Sequence, residues 1–167
     1  KYNNILVVEK ESSFGRHVSS RNSEVIHSGL YYESGSLKAK LCVRGNKLMY
    51  DFAEKYAINY KNCGKLIVVS DPDELEQLEA LMQNGRQNNV DGLQMISGKE
   101  VSQREPIIKA AGGLAVPSTG IIDSHSFMHK LEYLITSNES SIVYNTEVSG
   151  INYQDKYYTL SFKDMDY

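Results

Sequence analysis

The chain has 167 residues, 41% of them hydrophobic and 23% charged, with 18 Lys and Arg against 21 Asp and Glu and a formal net charge of -3. That is the balance of a folded globular chain, and it lacks the dense basic footprint of a nucleic-acid binder. No apolar run approaches the roughly 20 residues of a membrane span. The two cysteines, Cys42 and Cys63, fit neither a metal motif nor a disulfide framework, and predict buried thiols in a reducing compartment.

In chain order, Ile5 to Val8 is a continuous apolar run ending at Glu9, the pattern of a parallel strand covered on both faces. Residues 11–35 are polar and rich in Gly and Ser, which predicts a long loop of the kind that binds something. Ser36 opens a predicted helix running to about Tyr56, with Leu37, Leu41, Leu48 and Phe52 as its inner face. Lys65 to Val69 reads as a strand. Asp71, Pro72 and Glu74 form a helix start with a capping box. Leu75, Leu78, Leu81 and Met82 line the helix that follows, until Asn88, Asn89 and Gly92 break it. After a short strand "LQMIS", Ser97 and Glu100 cap one short helix before Pro106. "AAGGLAVPSTGIID" is a Gly-rich strand and turn. Asp123 caps a helix facing inward through Phe127, Leu131, Leu134 and Ile135, and three short strands complete the chain. The predicted fold class is α/β or α+β, a partial Rossmann-like domain with an inserted mixed-sheet lobe. The segments expected are 1–57, 58–112 and 113–167.

Two features carry chemistry. An acidic residue at the C-terminal end of a parallel strand, here Glu9, can accept hydrogen bonds from both hydroxyls of a ribose; the plain alternative is a solvated charge. Arg21, Asn22, Ser23 and His27 lie together in "SSRNSEVIHSGLYY". They can cradle an anion while an imidazole that titrates near neutrality faces a reacting centre, or they can form an ordinary polar loop. His125 and His129 have helical metal-ligand spacing but no third ligand, so no metal site is expected. Tyr31-Tyr32 reads as packed aromatics, and no nucleophile elbow surrounds the serines.

The stretch "VVEKESSFGRHVSSRNSEVIHSGLYYESGSLKAKLCVRG" resembles the second strand and flavin loop of the D-amino-acid-oxidase-like FAD enzymes. It is most similar to their L-2-hydroxyglutarate oxidase/dehydrogenase branch, as are "YKNCGKLIV" and "PSTGIID". The resemblance implies a Rossmann-like FAD domain covered by a second lobe, of which 58–112 would be a part. It assigns Glu9, followed by Lys10, to the adenosine ribose. Ser20, Arg21, Asn22 and Ser23 would line the pyrophosphate and the linking chain, and Val148 would meet the adenine. His27, the catalytic candidate, would stand close to the isoalloxazine. Gly29 would let the backbone approach a flat ring.

The family's Gly-rich turn and C-terminal third have no counterpart here. The expectation is therefore a fragment of an FAD-dependent 2-hydroxy acid oxidoreductase, inactive and without FAD by itself. Its substrate would be L-2-hydroxyglutarate and its electron acceptor oxygen or a quinone. A cytoplasmic location is expected, with peripheral association at the inner membrane left open. Two alternatives remain: a glycerol-3-phosphate or amine oxidase of the same fold, or a cofactor-free remnant with an interaction role. Lys65, Arg86 and Arg104 are the cations available for substrate carboxylates.

Overall fold

The computed structural model describes residues 4–163. The elements are β1 (Leu6–Val8), β2 (Val25–Ile26), α1 (Leu37–Tyr56), β3 (Tyr60–Lys61), β4 (Lys65–Val69), α2 (Leu75–Gln87), β5 (Gln94–Ser97), α3 (Gly98–Arg104), β6 (Gly112–Val116), β7 (Gly120–Ile122), α4 (Ser124–Thr136), β8 (Ser141–Val143), β9 (Val148–Gln154) and β10 (Tyr157–Phe162). They form two compact units, residues 1–22 with 124–167, and residues 23–123.

In the first unit β1 and β8 pair in parallel, Val7 opposite Ile142. The ladder extends past the strand: the Glu9 amide donates to the Val143 carbonyl at 2.9 Å, and the Thr146 amide donates to the Glu9 carbonyl at 2.9 Å. On α4, Phe127, Leu134 and Ile135 are half-buried, while Leu131 remains exposed. β9 and β10 form an antiparallel hairpin in which Tyr153 faces Tyr158, their rings 4.8 Å apart.

The second unit holds two antiparallel sheets, ordered β2-β7-β3 and β4-β6-β5. β6 is central and buried throughout, because helices cover both its faces. A methyl group at Gly112 would meet Leu75 of α2 at 2.6 Å. One at Gly113 would meet Val101 of α3 at 3.0 Å. Two glycines in a strand weaken its intrinsic propensity, and here they permit the close approach of a helix on each side. The core gathers Leu30, Leu78, Val90, Leu114 and Val116, with Ile67, Val69, Leu75 and Met82 against it.

The starts at Ser36, Asp71 and Ser97 follow the predicted capping chemistry. Ser36 Oγ accepts from the Ala39 amide. Asp71 with Glu74, and Ser97 with Glu100, form complete capping boxes. Asp71 caps a 3-10 turn, Pro72–Glu74, which leads into α2.

The inner face of α1 is a correction. Ala39 and Ala53 are buried, and Asn46 and Tyr50 lie on their side. Leu37, Leu41 and Leu48, expected to face inward, are 70%, 56% and 54% exposed. At 3.6 residues per turn the two sets lie on opposite sides of the helix. The inward face is chosen by hydrogen bonding, because Asn46 and Tyr50 both donate to the Ser118 carbonyl, at 2.8 and 3.1 Å. A second correction concerns the thiols: Cys63 is exposed and Cys42 is partly buried.

Segment 11–35 also differs from a structureless loop. It contains a 3-10 turn at Val18–Ser20 and the strand β2, which pairs with β7 at Val25–Ile121 and Ile26–Gly120.

Candidate active site

Glu9 stands just past the end of β1, part-buried, with Oε1 accepting from the Glu11 amide at 2.9 Å. That bond fixes the carboxylate and leaves Oε2 as an open acceptor among the described residues. Lys10 beside it is exposed. Val148 begins β9, two residues after Thr146, whose amide holds the Glu9 carbonyl. The ends of β1 and β9 are thus brought together within the first unit.

The segment after Glu9 is bound to itself. His17 Nε2 lies 2.9 Å from Glu11 Oε1. Arg16 donates to Ser12 Oγ at 3.1 Å. Ser20 donates its hydroxyl to the Gly15 carbonyl. The Asn22 side-chain amide donates to the carbonyls of Val18 and Ser19, at 3.1 and 2.8 Å. Ser20 and Asn22 therefore act first as ties of the turn, and Ser20 Oγ retains acceptor capacity. Arg21, at the end of the turn, is exposed, with no hydrogen bond from its guanidinium among the described residues.

Ser20, Arg21 and Asn22 fall in the first unit; Ser23, His27 and Gly29 fall in the second. Ser23 is exposed, at the start of that unit. His27 directly follows β2. Ile26, Ser28, Gly29 and Leu30 around it are buried while His27 is exposed, so its imidazole projects alone from a packed segment. Its backbone carbonyl accepts from the Asn46 side-chain amide at 3.1 Å and lies 3.6 Å from Cys42 Sγ. Burial pushes the Cys42 thiol up, and Lys38 partly opposes this. A neutral thiol beside a carbonyl is a packing group and a weak donor.

Gly29 has φ +90°, and an added Cβ would lie 2.7 Å from Val43 of α1. The left-handed backbone and the helix behind it are each sufficient to require glycine.

Sequence reading missed three asparagines. Besides Asn46, Asn84 of α2 donates to the carbonyls of Leu30 and Tyr32, at 2.7 and 3.0 Å. Asn88 at the end of α2 donates to those of Gly29 and Tyr32, at 3.1 and 2.8 Å. Poor helix formers at inward helical positions are a signal that could have flagged Asn46 and Asn84.

Of the three candidate cations, Lys65 and Arg104 line one open cavity of about 540 Å³ with Asn62, Cys63 and Gln94. Lys65 also donates to the Tyr31 hydroxyl at 3.1 Å and lies 4.3 Å from the centre of that ring. Arg86, on α2, is not among the residues of that cavity. His125 and His129 pack edge-on at 4.8 Å, with Phe14 against both. Among the described residues no group of three or more His, Cys, Asp or Glu could hold a metal ion, and no helix is long and apolar enough to cross a membrane.

The donor set fits FAD. A fixed carboxylate at a parallel-strand end suits ribose hydroxyls, and an uncommitted guanidinium suits a phosphate.

The sequence matches the family described as FAD dependent oxidoreductase over residues 1–162. It is 38% identical over 161 residues to the mitochondrial L-2-hydroxyglutarate dehydrogenase of Homo sapiens, covering 96% of this chain and 35% of that protein. It is 38% identical over 148 residues to the L-2-hydroxyglutarate dehydrogenase of Escherichia coli K12, covering 89% and 35%. The chain thus spans about a third of the length of these relatives. Among solved structures, the dithionite-reduced L-α-glycerophosphate oxidase of Mycoplasma pneumoniae with FAD bound superposes with a TM-score of 0.86 at 30% identity, over 95% of this chain and 43% of that one. Glycine oxidase of Geobacillus kaustophilus shares the fold, with a TM-score of 0.79 at 19% identity over 95% and 45%. The mixed α/β architecture and the matched length of sequence agree: the chain belongs to the FAD dependent oxidoreductase family.

Proposed function

We propose that this chain is part of an enzyme that oxidises a 2-hydroxy acid, L-2-hydroxyglutarate to 2-oxoglutarate. The observation that carries the reading is His27, a lone exposed imidazole on a segment whose neighbours are buried and whose carbonyl is tied to α1. The relatives named L-2-hydroxyglutarate dehydrogenase support the substrate.

FAD, when bound, supplies the two-electron acceptor for the hydrogen on the substrate's C2. His27 takes the hydroxyl proton as the C2–O bond becomes a carbonyl, so one hydride and one proton leave together. An imidazole suits this because a neutral ring nitrogen can accept a proton from a hydroxyl. Glu9, with Lys10 beside it, holds the adenosine ribose, and Val148 lies along the adenine. Arg21, with Ser20, Asn22 and Ser23, holds the pyrophosphate side. Gly29 lets the backbone approach the flat ring of the flavin closely. Residues 58–112 contribute to the substrate lobe. Lys65 and Arg104 are the cations for the substrate's carboxylates. Oxygen or a quinone reoxidises the enzyme, and a quinone would call for peripheral contact with a membrane.

A second reading, a glycerol-3-phosphate oxidase, is favoured by the 30% identity to the glycerophosphate oxidase. Anaerobic stopped-flow reduction of the full-length protein separates the two. L-2-hydroxyglutarate is expected to bleach the flavin and glycerol 3-phosphate is not; the reverse overturns the proposal. In the same assay His27→Ala should slow reduction by about 100-fold with flavin still bound. Reduction at the parent rate would remove His27 from the chemistry.

A further inference from the structure

We infer that Asn46, Asn84 and Asn88 are positioning residues for His27. They act as side-chain amides, anchored in two different helices, that fix the main chain of segment 27–32 and with it the place of the imidazole. The inference rests on the proposed role of His27.

The geometry is a set of hydrogen bonds to the carbonyls of His27, Gly29, Leu30 and Tyr32. Asn46 holds the His27 carbonyl at 3.1 Å and ties it to the Ser118 carbonyl at 2.8 Å. Asn88 holds Gly29 at 3.1 Å, Asn84 holds Leu30 at 2.7 Å, and both hold Tyr32, at 2.8 and 3.0 Å. Segment 27–32 belongs to no helix or strand, so its carbonyls have no ladder to satisfy them. A buried carbonyl left unpaired is costly, and the asparagine amides answer that need. An asparagine side chain supplies two N–H donors at fixed angles, so Asn46, Asn84 and Asn88 each bridge two carbonyls.

The arrangement goes beyond simple burial. Gly29 and Leu30 are packed against α1 and the core, but that packing does not satisfy the carbonyls of the segment. Asparagine in a helix interior is unfavourable relative to leucine or alanine. Among the described residues Asn88 Oδ1 is also buried without a partner, a further cost. These costs are tolerated where the position of the backbone must be set closely. Of the two exposed residues on segment 27–32, His27 and Tyr31, His27 is the one whose own carbonyl is held, by Asn46. A displacement of about 1 Å at a reacting group can lower a rate by about 100-fold.

The test uses the full-length holoprotein. Asn46→Leu keeps the branched shape and removes the donors, and Asn84→Leu does the same from the other helix. Each variant is made with His27 intact and in a His27→Ala background. With His27 intact, flavin reduction should slow by roughly 10- to 100-fold, with KM changed by less than about twofold and flavin content unchanged. In the His27→Ala background the same substitution should have no further effect, because the clamp acts through the imidazole. Independently of activity, amide exchange across residues 27–32 should quicken by about tenfold in the variants. Equal losses in both backgrounds, an unchanged rate with His27 intact, or loss of flavin from both asparagine variants overturns the inference. If His27→Ala alone leaves the rate intact, the reading of His27 fails and the inference fails with it.

Discussion

Tyr144 donates its hydroxyl to the carboxylate of Glu132 across the first unit, and this bond adds to burial in raising the pKa of the phenol. Burial, and then the bond to and the charge of Glu132, push the Tyr144 hydroxyl up from 10 to about 12. A raised pKa in the folded state means that the contribution to stability is fully present below about pH 10 and is lost as pH rises toward 12. Tyr144→Phe should remove that alkaline loss and cost about 1 kcal/mol at neutral pH, where the hydrogen bond is intact. Denaturant midpoints of parent and variant between pH 9 and 12 check this. Parallel curves across that window would show that the Tyr144 hydroxyl is not raised in the folded state.

Gly85→Ala sets two known effects against each other. Alanine in a helix interior is favoured over glycine by about 1 kcal/mol. The added methyl would lie 2.5 Å from both Leu30 and Leu93, and Leu30 is 1% exposed, with no free space to turn into. Overpacking of this kind costs about 1–3 kcal/mol. The net expectation is a loss of about 1 kcal/mol and a lower melting temperature. A melting temperature above the parent's would show that propensity wins.

The start of α3 gives a prediction about acid. Hydrogen bonds from the Ser97 hydroxyl and amide hold the Glu100 carboxyl below the usual carboxylate range. A lowered folded-state pKa contributes stability above the ordinary carboxylate value, and this is lost as pH falls through the lowered one. Ser97→Ala should destabilise by about 1 kcal/mol through loss of the cap. It should also move the Glu100 titration back toward its ordinary position, read by carboxyl carbon chemical shifts. A Glu100 titration that stays where it was would remove Ser97 as the cause.

Local rules were legible in the sequence wherever one residue type sufficed. Ser36, Asp71 and Ser97 announce helix starts because their side chains satisfy amides three positions on or closer. The run Lys65–Val69 is a strand as read. Legibility failed where partners come from far along the chain. The inward face of α1 is decided by the Ser118 carbonyl, 72 residues from Asn46, and hydrophobic periodicity knows nothing of it. β2 is two residues long and exists because β7 pairs with it. The stretch bearing Glu9 and His27 was recognisable from its own letters, while Asn84 is marked locally only as a poor helix former, and neither it nor Asn88 shows in its own segment that it holds carbonyls more than 50 residues away.

Glu9 gives the sharpest test of the cofactor assignment, because its two oxygens have different duties. Oε1 accepts from the Glu11 amide at 2.9 Å and so shapes the turn after β1. Under the proposed assignment, Oε2, an open acceptor among the described residues, takes a ribose hydroxyl. In the full-length protein, Glu9→Gln should keep the turn, since its amide oxygen can still accept from Glu11, but it loses the charge and offers a donor where an acceptor is needed. The expected result is weaker FAD binding by about 10-fold, consistent with a charge-assisted hydrogen bond of roughly 1.5–3 kcal/mol partly replaced by a neutral one. Turnover at saturating FAD should stay near the parent value, because a ribose contact lies away from the reacting atoms and contributes equally to ground and transition states. Glu9→Ala should weaken binding further by freeing the turn as well. Flavin release followed by fluorescence, with turnover measured alongside at saturating FAD, reads both quantities. A Glu9→Gln protein that kept all of its flavin but lost turnover would place Glu9 with the chemistry instead of the ribose.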